Sequence, residues 1–152
     1  MDNTLGTHMV RGPFVADPDM SPREALETMR ELEFRHLPVV RDGRLVGIVS
    51  ERDLREAVQL PQAKKLRLED MMKTGVFWVQ KETPLKKVVF EMADKKYGSA
   101  IVLNDKREVI GIFTTTDALR ILGEILDESG EDDFLLDDET FESWEDLNSY
   151  NA

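Results

Sequence analysis

One unit occurs twice in this chain, and that duplication constrains the fold more than any other feature of the sequence. Sliding the sequence 63 positions against itself brings Met9 onto Met72, Gly12 onto Gly75, Phe14 onto Phe77 and Val15 onto Trp78. Farther on, Arg23 meets Lys86, Met29 meets Met92, Phe34 meets Tyr97, Val39 meets Val102, Asp42 meets Asp105 and Arg44 meets Arg107. One extra residue, placed at Glu108, moves the offset to 64, after which Gly47 meets Gly111, Ile48 meets Ile112 and Asp53 meets Asp117. Self-similarity at a fixed period across a whole unit is the mark of a repeat architecture. A unit of about 60 residues is marginal alone, so the two are expected to pack sheet against sheet.

Each repeat reads strand, helix, strand, strand, helix. In the first, Pro13 to Ala16 is a short strand, and Ser21-Pro22 opens a helix with Ala25, Met29 and Leu32 on one face. His36-Leu-Pro-Val-Val and Arg44 to Val49 are joined by Asp42-Gly43, the strongest short hairpin signal, and Leu54 begins the closing helix. In the second, Val76 to Val79 is a strand and a helix follows Thr83-Pro84, with Val88, Val89, Met92 and Ala93 on its apolar face. Strands Ala100 to Leu103 and Val109 to Phe113 and a helix from Ala118 to Leu126 complete it. The spacing of Met29, Met92, Phe34, Tyr97 and Trp78 places them in the core. The expected division is 7–58 for the first repeat, 59–68 for a linker, 69–126 for the second repeat and 127–152 for a flexible acidic tail.

The most informative stretches are Gly47-Ile-Val-Ser-Glu-Arg-Asp53 and Gly111-Ile-Phe-Thr-Thr-Thr-Asp117. Each reads as the end of a buried strand turning into a helix. A hydroxyl followed three residues later by a carboxylate satisfies free N–H groups at a helix start, and capping alone accounts for one such pair. Ser21-Pro-Arg-Glu24 in the same chain needs no other explanation. The other two differ in context: they recur in register, where a strand meets a helix amino terminus, the place where α/β folds put phosphorylated ligands. Capping and ligand binding both remain open on the residues alone.

Composition removes several classes of function. There is no cysteine, which excludes disulfides, thiolate metal sites and cysteine nucleophiles. No apolar run approaches the ~20 residues of a membrane span, so a soluble, cytoplasmic protein is expected. The net charge of −11 is unevenly spread: eleven Asp or Glu and no Lys or Arg follow residue 126, leaving 20 acidic and 20 basic residues before it. A neutral body argues against nucleic-acid binding, which needs a net basic face. The acidic segment also carries Phe134, Leu135, Leu136, Phe141, Trp144 and Leu147, so it reads either as a solvating tail or as a segment that folds on a protein partner.

The duplicated unit resembles the cystathionine-β-synthase-type (CBS) domain, as a stand-alone tandem pair. The residues that carry the resemblance are His36-Leu-Pro-Val-Val, Ser99-Ala-Ile-Val-Leu and the two Gly-Ile-x-Ser/Thr-x-x-Asp stretches. The lead-ins Thr7-His-Met-Val and Glu69-Asp-Met-Met are similar to the short helix that opens such repeats, and the likeness covers about residues 7–126. It implies an α/β (α+β) fold of two β-α-β-β-α repeats in a pseudo-two-fold pair, usually joined with a second chain as a flat homodimer. It also implies clefts between the repeats for an adenosine-type ligand: AMP, ADP or ATP, with S-adenosylmethionine less frequent.

Carried across, the resemblance implies that Asp53 and Asp117 each hold a ribose diol, and that Ser50 and Thr114 bond phosphate or ribose oxygen. Backbone around Ala16-Asp17 and Val79-Gln80 would meet the adenine edge. Arg35, His36 and Arg52 in the first repeat stand opposite Gly98, Ser99 and Thr116 in the second. Arginine suits phosphate through its planar fork, so the first repeat is expected to carry most of the anion-binding charge, with Gly98 allowing close approach to backbone. Solvation alone also accounts for Arg35 and Arg52, and a structural role for His36. No nucleophile is matched with a base and no metal-ligand cluster is present, so no catalysis is expected. The leading expectation is a regulatory nucleotide-binding module acting through its dimer or a partner. The competing one is a non-catalytic interaction protein with degenerate clefts, whose acidic-aromatic tail binds a protein.

Overall fold

Two antiparallel strand pairs, one per repeat, form the framework. Strands β2 (His36–Arg41) and β3 (Arg44–Ser50) make the first, in register from His36↔Ser50 to Arg41↔Arg44. Asp42 and Gly43 close it with φ of 51° and 77°, the two-residue turn whose twist matches that of the strands. Strands β5 (Ser99–Leu103) and β6 (Val109–Thr114) make the second, pairing Ser99↔Thr114 through Leu103↔Val109. Their connection is longer and is organised by Asn104, whose side-chain oxygen accepts from the N–H groups of Lys106 and Glu108 at 3.0 and 2.9 Å. The extra residue that shifts the repeat offset lies in this loop. The computed structural model describes residues 3–129, so the acidic-aromatic segment from 130 onward, with the partner-binding role expected of it, lies outside the described residues.

The helices are α1 (Leu5–His8), α2 (Pro22–Leu32), α3 (Glu51–Ala57), α4 (Leu68–Met71), α5 (Leu85–Lys95) and α6 (Thr115–Glu128). Two short strands, β1 (Val10–Arg11) and β4 (Trp78–Val79), extend the second pair into a four-stranded sheet ordered β1-β6-β5-β4. Ser21 and Glu24 form a complete capping box at α2, the Ser21 hydroxyl accepting from Glu24 N–H and the Glu24 carboxylate from Ser21 N–H.

The opening segment of each repeat is built into the other repeat. β1 pairs with β6, Val10 opposite Ile112. Ahead of it, Leu5 N–H donates to Thr83 O and Gly6 N–H to Lys81 O, both at 2.8 Å, while Leu85 N–H donates to Asn3 O at 2.7 Å. The second lead-in mirrors this: Leu68 N–H donates to Met20 O, and Lys73 and Ile48 exchange both backbone hydrogen bonds at 2.9 and 3.0 Å. Leu5 and Leu68 are fully buried, and burying one leucine contributes about 1.5–3 kcal/mol, so each lead-in is anchored by a side chain as well as by backbone. The expected strand at Pro13–Ala16 is reduced to one parallel bridge, Ala16 to Val39.

The same exchange explains the glycine of each signature stretch. A Cβ on Gly47 would lie 2.7 Å from Cγ and 3.0 Å from Cβ of Met72, and closer still to its Sδ. A Cβ on Gly111 would meet Met9 in the same way, with Cγ at 3.0 Å. Each methionine of one lead-in therefore packs flat on the glycine of the opposite repeat.

One core joins α2, β2, β3 and α3 through Leu26, Met29, Leu37, Val39, Val49 and Leu54, with Leu68 of α4 completing it. A second, of Ile101, Leu103 and Ile112, packs against Leu45 and Ile48 of β3, so sheet meets sheet as expected. Met29 and Met92 are buried, but Tyr97 and Trp78 are 37% and 39% exposed and Phe34 is half-buried. Trp78 sits on the two-residue edge strand β4, with the Arg107 guanidinium 5.0 Å from its ring centroid, and Tyr97 stacks on Phe77 at 4.9 Å. Leu32 is also exposed, since α2 ends there and Glu33 turns left-handed; Leu26 takes its place in the core. Residues up to Asp117 form one compact unit, and Ala118 begins a second, in which α6 carries exposed Leu119, Leu122, Ile125 and Leu126. No helix among the described residues is long and apolar enough to cross a membrane.

Candidate functional site

The two signature stretches fold alike in backbone and differ in what their aspartates do. At the second, Thr114 and Asp117 close a full capping box. The Asp117 carboxylate accepts from Thr114 N–H at 2.8 Å and from the Thr114 hydroxyl at 2.9 Å, and the Asp117 N–H returns a bond to that hydroxyl. Asp117 is buried. At the first, Ser50 accepts from Asp53 N–H at 3.1 Å, and the Asp53 carboxylate faces Lys73 Nζ at 3.8 Å with a third of its side chain exposed.

Lys73 is one difference between the two surroundings. It stands near Asp53 through its bridge to Ile48, two residues before the end of β3. The equivalent bridge in the other half pairs Val10 with Ile112, so an apolar side chain stands where Lys73 would. An ion pair at this distance, with its lysine largely exposed, is weak, on the order of 0–1 kcal/mol.

On the neighbouring face of α3 lies an open groove of about 550 Å³, lined by Arg35, His36, Ser50 and Arg52, and also by Glu51, Arg55 and Glu56. Four residues singled out from the sequence thus meet at one surface. Arg55, whose guanidinium bonds Glu51 at 2.6 Å, was not among them; its spacing of three from Arg52 is the signal that could have found it. Lys73 had no local signal at all.

His36 marks the seam between the halves. Its Nδ1 is buried without a hydrogen-bond partner, and a Cβ on Gly98 would lie 3.0 Å from its Nε2. The imidazole therefore occupies the space that the missing side chain of Gly98 leaves. Burial holds its pKa below the ordinary value, helped by the positive charges of Lys73 and Arg35 and opposed by Asp53.

The remaining candidates are dispersed. Ala16 is buried, with its N–H donating to Pro38 O and its carbonyl accepting from Val40 N–H, so its own backbone is committed to β2. Asp17 is exposed and caps its own turn, accepting from Asp19 N–H. Val79 pairs in parallel with Val102, and Gln80 is exposed. Ser99 is buried at the start of β5, and Thr116 is exposed on the first turn of α6. Among the described residues no group of His, Asp and Glu could hold a metal ion.

Two halves that exchange lead-ins around paired hairpins, each ending in a hydroxyl-x-x-aspartate turn, define a tandem-repeat fold. The model of the CBS domain family matches residues 5–60 and 68–124, and the chain belongs to that family as a tandem CBS pair. It is 32% identical over 112 residues to L-aspartate semialdehyde sulfurtransferase of Methanocaldococcus jannaschii, covering 73% of this chain but only 21% of that protein. The chain spans from about a fifth to about half of the first curated relatives. A solved CBS-domain pair in complex with 5′-methylthioadenosine and S-adenosyl-L-methionine superposes with a TM-score of 0.73 at 27% identity, covering 80% of this chain and 97% of that one. CBSX2 of Arabidopsis thaliana, solved with AMP, gives 0.70 at 27% identity over 80% and 97% of the two chains.

Proposed function

We propose that this CBS pair is a non-catalytic regulatory module that binds an adenine nucleotide (AMP, ADP or ATP) chiefly at its first repeat. The observation that carries this reading is the meeting of Arg35, His36, Ser50 and Arg52 on one groove next to a partly exposed Asp53. Guanidinium groups suit phosphate, and a carboxylate accepts both hydroxyls of a ribose diol. The relatives solved with AMP and with 5′-methylthioadenosine and S-adenosyl-L-methionine support a ligand of the adenosine class. In the second repeat, Asp117 is engaged by Thr114, and Gly98, Ser99 and Thr116 bring no positive charge, which favours one nucleotide per chain. A homodimer in the cytoplasm is the proposed working form, with the exposed apolar residues of α6 as the surface offered to a second copy. A bound nucleotide shifts such an assembly only by its difference in affinity between the assembly's conformations.

Thermal denaturation with AMP, ADP, ATP and S-adenosylmethionine tests the reading. A ligand at about 100 times its dissociation constant adds about 2.7 kcal/mol, or roughly 5–10 °C for a chain of this size. Asp53→Ala should abolish the shift and Asp117→Ala should leave most of it. No shift with any of the four would remove the nucleotide reading.

A further inference from the structure

The groove presents three guanidinium groups against two carboxylates, and the pairing between them is graded. Arg35 has no ion-pair partner among the described residues. Arg52 is held loosely by Glu56, at 3.7 Å with both side chains largely exposed. Arg55 is held tightly by Glu51, at 2.6 Å, and Glu51 is the more buried carboxylate of the two, with a fifth of its side chain exposed. Arg52 and Arg55 stand three residues apart on α3, about 4.5 Å along the helix, so a charge row runs away from His36 and Ser50 along the groove. Glu51 and Glu56 occupy the same guanidinium groups that a phosphate chain would use.

Resting on the nucleotide reading above, we propose that Arg55 reads the length of the phosphate chain. A monophosphate is served by Arg35 and Arg52, which are unpaired or loosely paired. A second or third phosphate reaches Arg55 and must displace it from Glu51, exchanging one charge-assisted hydrogen bond for another of higher anionic charge. Glu51 thus acts as a latch on the far end of the groove, and Arg55 as a specificity-determining residue for di- and triphosphates.

Calorimetric titration of the full chain with AMP, ADP and ATP tests this in wild type, Arg55→Ala and Glu51→Gln, with thermal melts confirming that each variant is folded. Arg55→Ala should weaken ATP about tenfold or more while AMP stays within about twofold. Glu51→Gln frees Arg55 and should tighten ATP severalfold over AMP. Arg55→Lys, which keeps the charge without the fork, should recover part of the loss. Equal effects of Arg55→Ala on all three nucleotides, or none, would overturn the role of Arg55 while leaving the nucleotide reading intact. Failure of wild type to bind any of them would overturn both.

Discussion

The packing of Met72 on Gly47 makes a quantitative test of how the two halves are locked together. Gly47 lies in the interior of β3 with no unusual φ, so alanine is compatible with the backbone there and would by itself add about 0.4–1 kcal/mol by restricting the unfolded chain. Against that gain, the new methyl would overlap Sδ of Met72 and come within 2.7 Å of its Cγ and 3.0 Å of its Cβ. Rotating the methionine relieves the first two contacts, because the side chain is flexible, but not the third. The Cβ contact moves only if the lead-in backbone shifts, and that backbone is bonded to Ile48 through Lys73. Overpacking of this kind costs typically 1–3 kcal/mol, so a net destabilisation of about 1–2 kcal/mol is expected. For a chain of this length that is a fall in Tm of roughly 2–8 °C.

The decisive measurement is a double-mutant cycle by urea denaturation on Gly47→Ala, Met72→Ala and the pair. Met72→Ala alone should cost less than the 2–5 kcal/mol of a fully buried methionine, because Met72 is half-buried. In the double variant the alanine methyl fills part of the space the methionine vacates, so its cost should fall short of the sum by about 0.5–3 kcal/mol. Additivity within about 0.5 kcal/mol, or a Gly47→Ala chain more stable than wild type, would refute the interlock. The symmetric cycle on Gly111 and Met9 should behave alike.

Asp117→Ala removes the acceptor for both the Thr114 N–H and the Thr114 hydroxyl and should cost about 1–3 kcal/mol in denaturant, whereas Asp53→Ala breaks only an exposed pair and should cost less than about 1 kcal/mol. Because the folded chain holds the His36 pKa below its unfolded value of about 6.5, the unfolded chain binds more protons just below that pH. Stability should therefore be level in His36 above about pH 6.5 and fall as the pH drops beneath it; comparing urea midpoints at pH 7.5 and 5.5 in wild type and His36→Gln should show a smaller acid-side loss in the variant. Leu122→Asp, on the exposed apolar face of α6, is expected to shift the chain toward monomer by light scattering; an unchanged mass would remove that face from any self-association.

Local chemistry was the legible part of the sequence. Asp42-Gly43 and Ser21-Pro-Arg-Glu24 each specify a conformation through side chains at most three residues apart, and both took the expected form. The convergence of Arg35, His36, Ser50 and Arg52 was legible too, since β2 and β3 are neighbours in one hairpin, pairing His36 with Ser50. The exchange of lead-ins was not. Whether Val10–Arg11 pairs with its own repeat or with β6 is decided by contacts about a hundred residues away, and the local pattern is the same in either case. Trp78 failed as a core residue for a related reason: apolar spacing identifies a face, but not whether that face lies at the edge of a sheet, and Tyr97 falls in the turn between α5 and β5.

The lead-in exchange also sets different residues at equivalent places beside the two motifs, Lys73 opposite Ile48 and Val10 opposite Ile112. Within their seven residues the two stretches share the glycine, the isoleucine, a hydroxyl and the aspartate, so nothing inside the motif separates a carboxylate that caps from one that faces outward. One residue that differs between their surroundings, Lys73 against Val10, arrives from the other half of the chain where the lead-in pairs with Ile48 or Ile112. A duplicated fold with reciprocal lead-ins can therefore alter one site by a substitution in the opposite repeat, leaving both signatures intact. Replacing Lys73 by valine gives the first site the lining of the second. If the cation is what draws Asp53 away from its cap, Lys73→Val should stabilise the chain through a completed Ser50–Asp53 box and weaken nucleotide binding together. An affinity unchanged by that substitution would mean that the position of Asp53 is set within its own repeat after all.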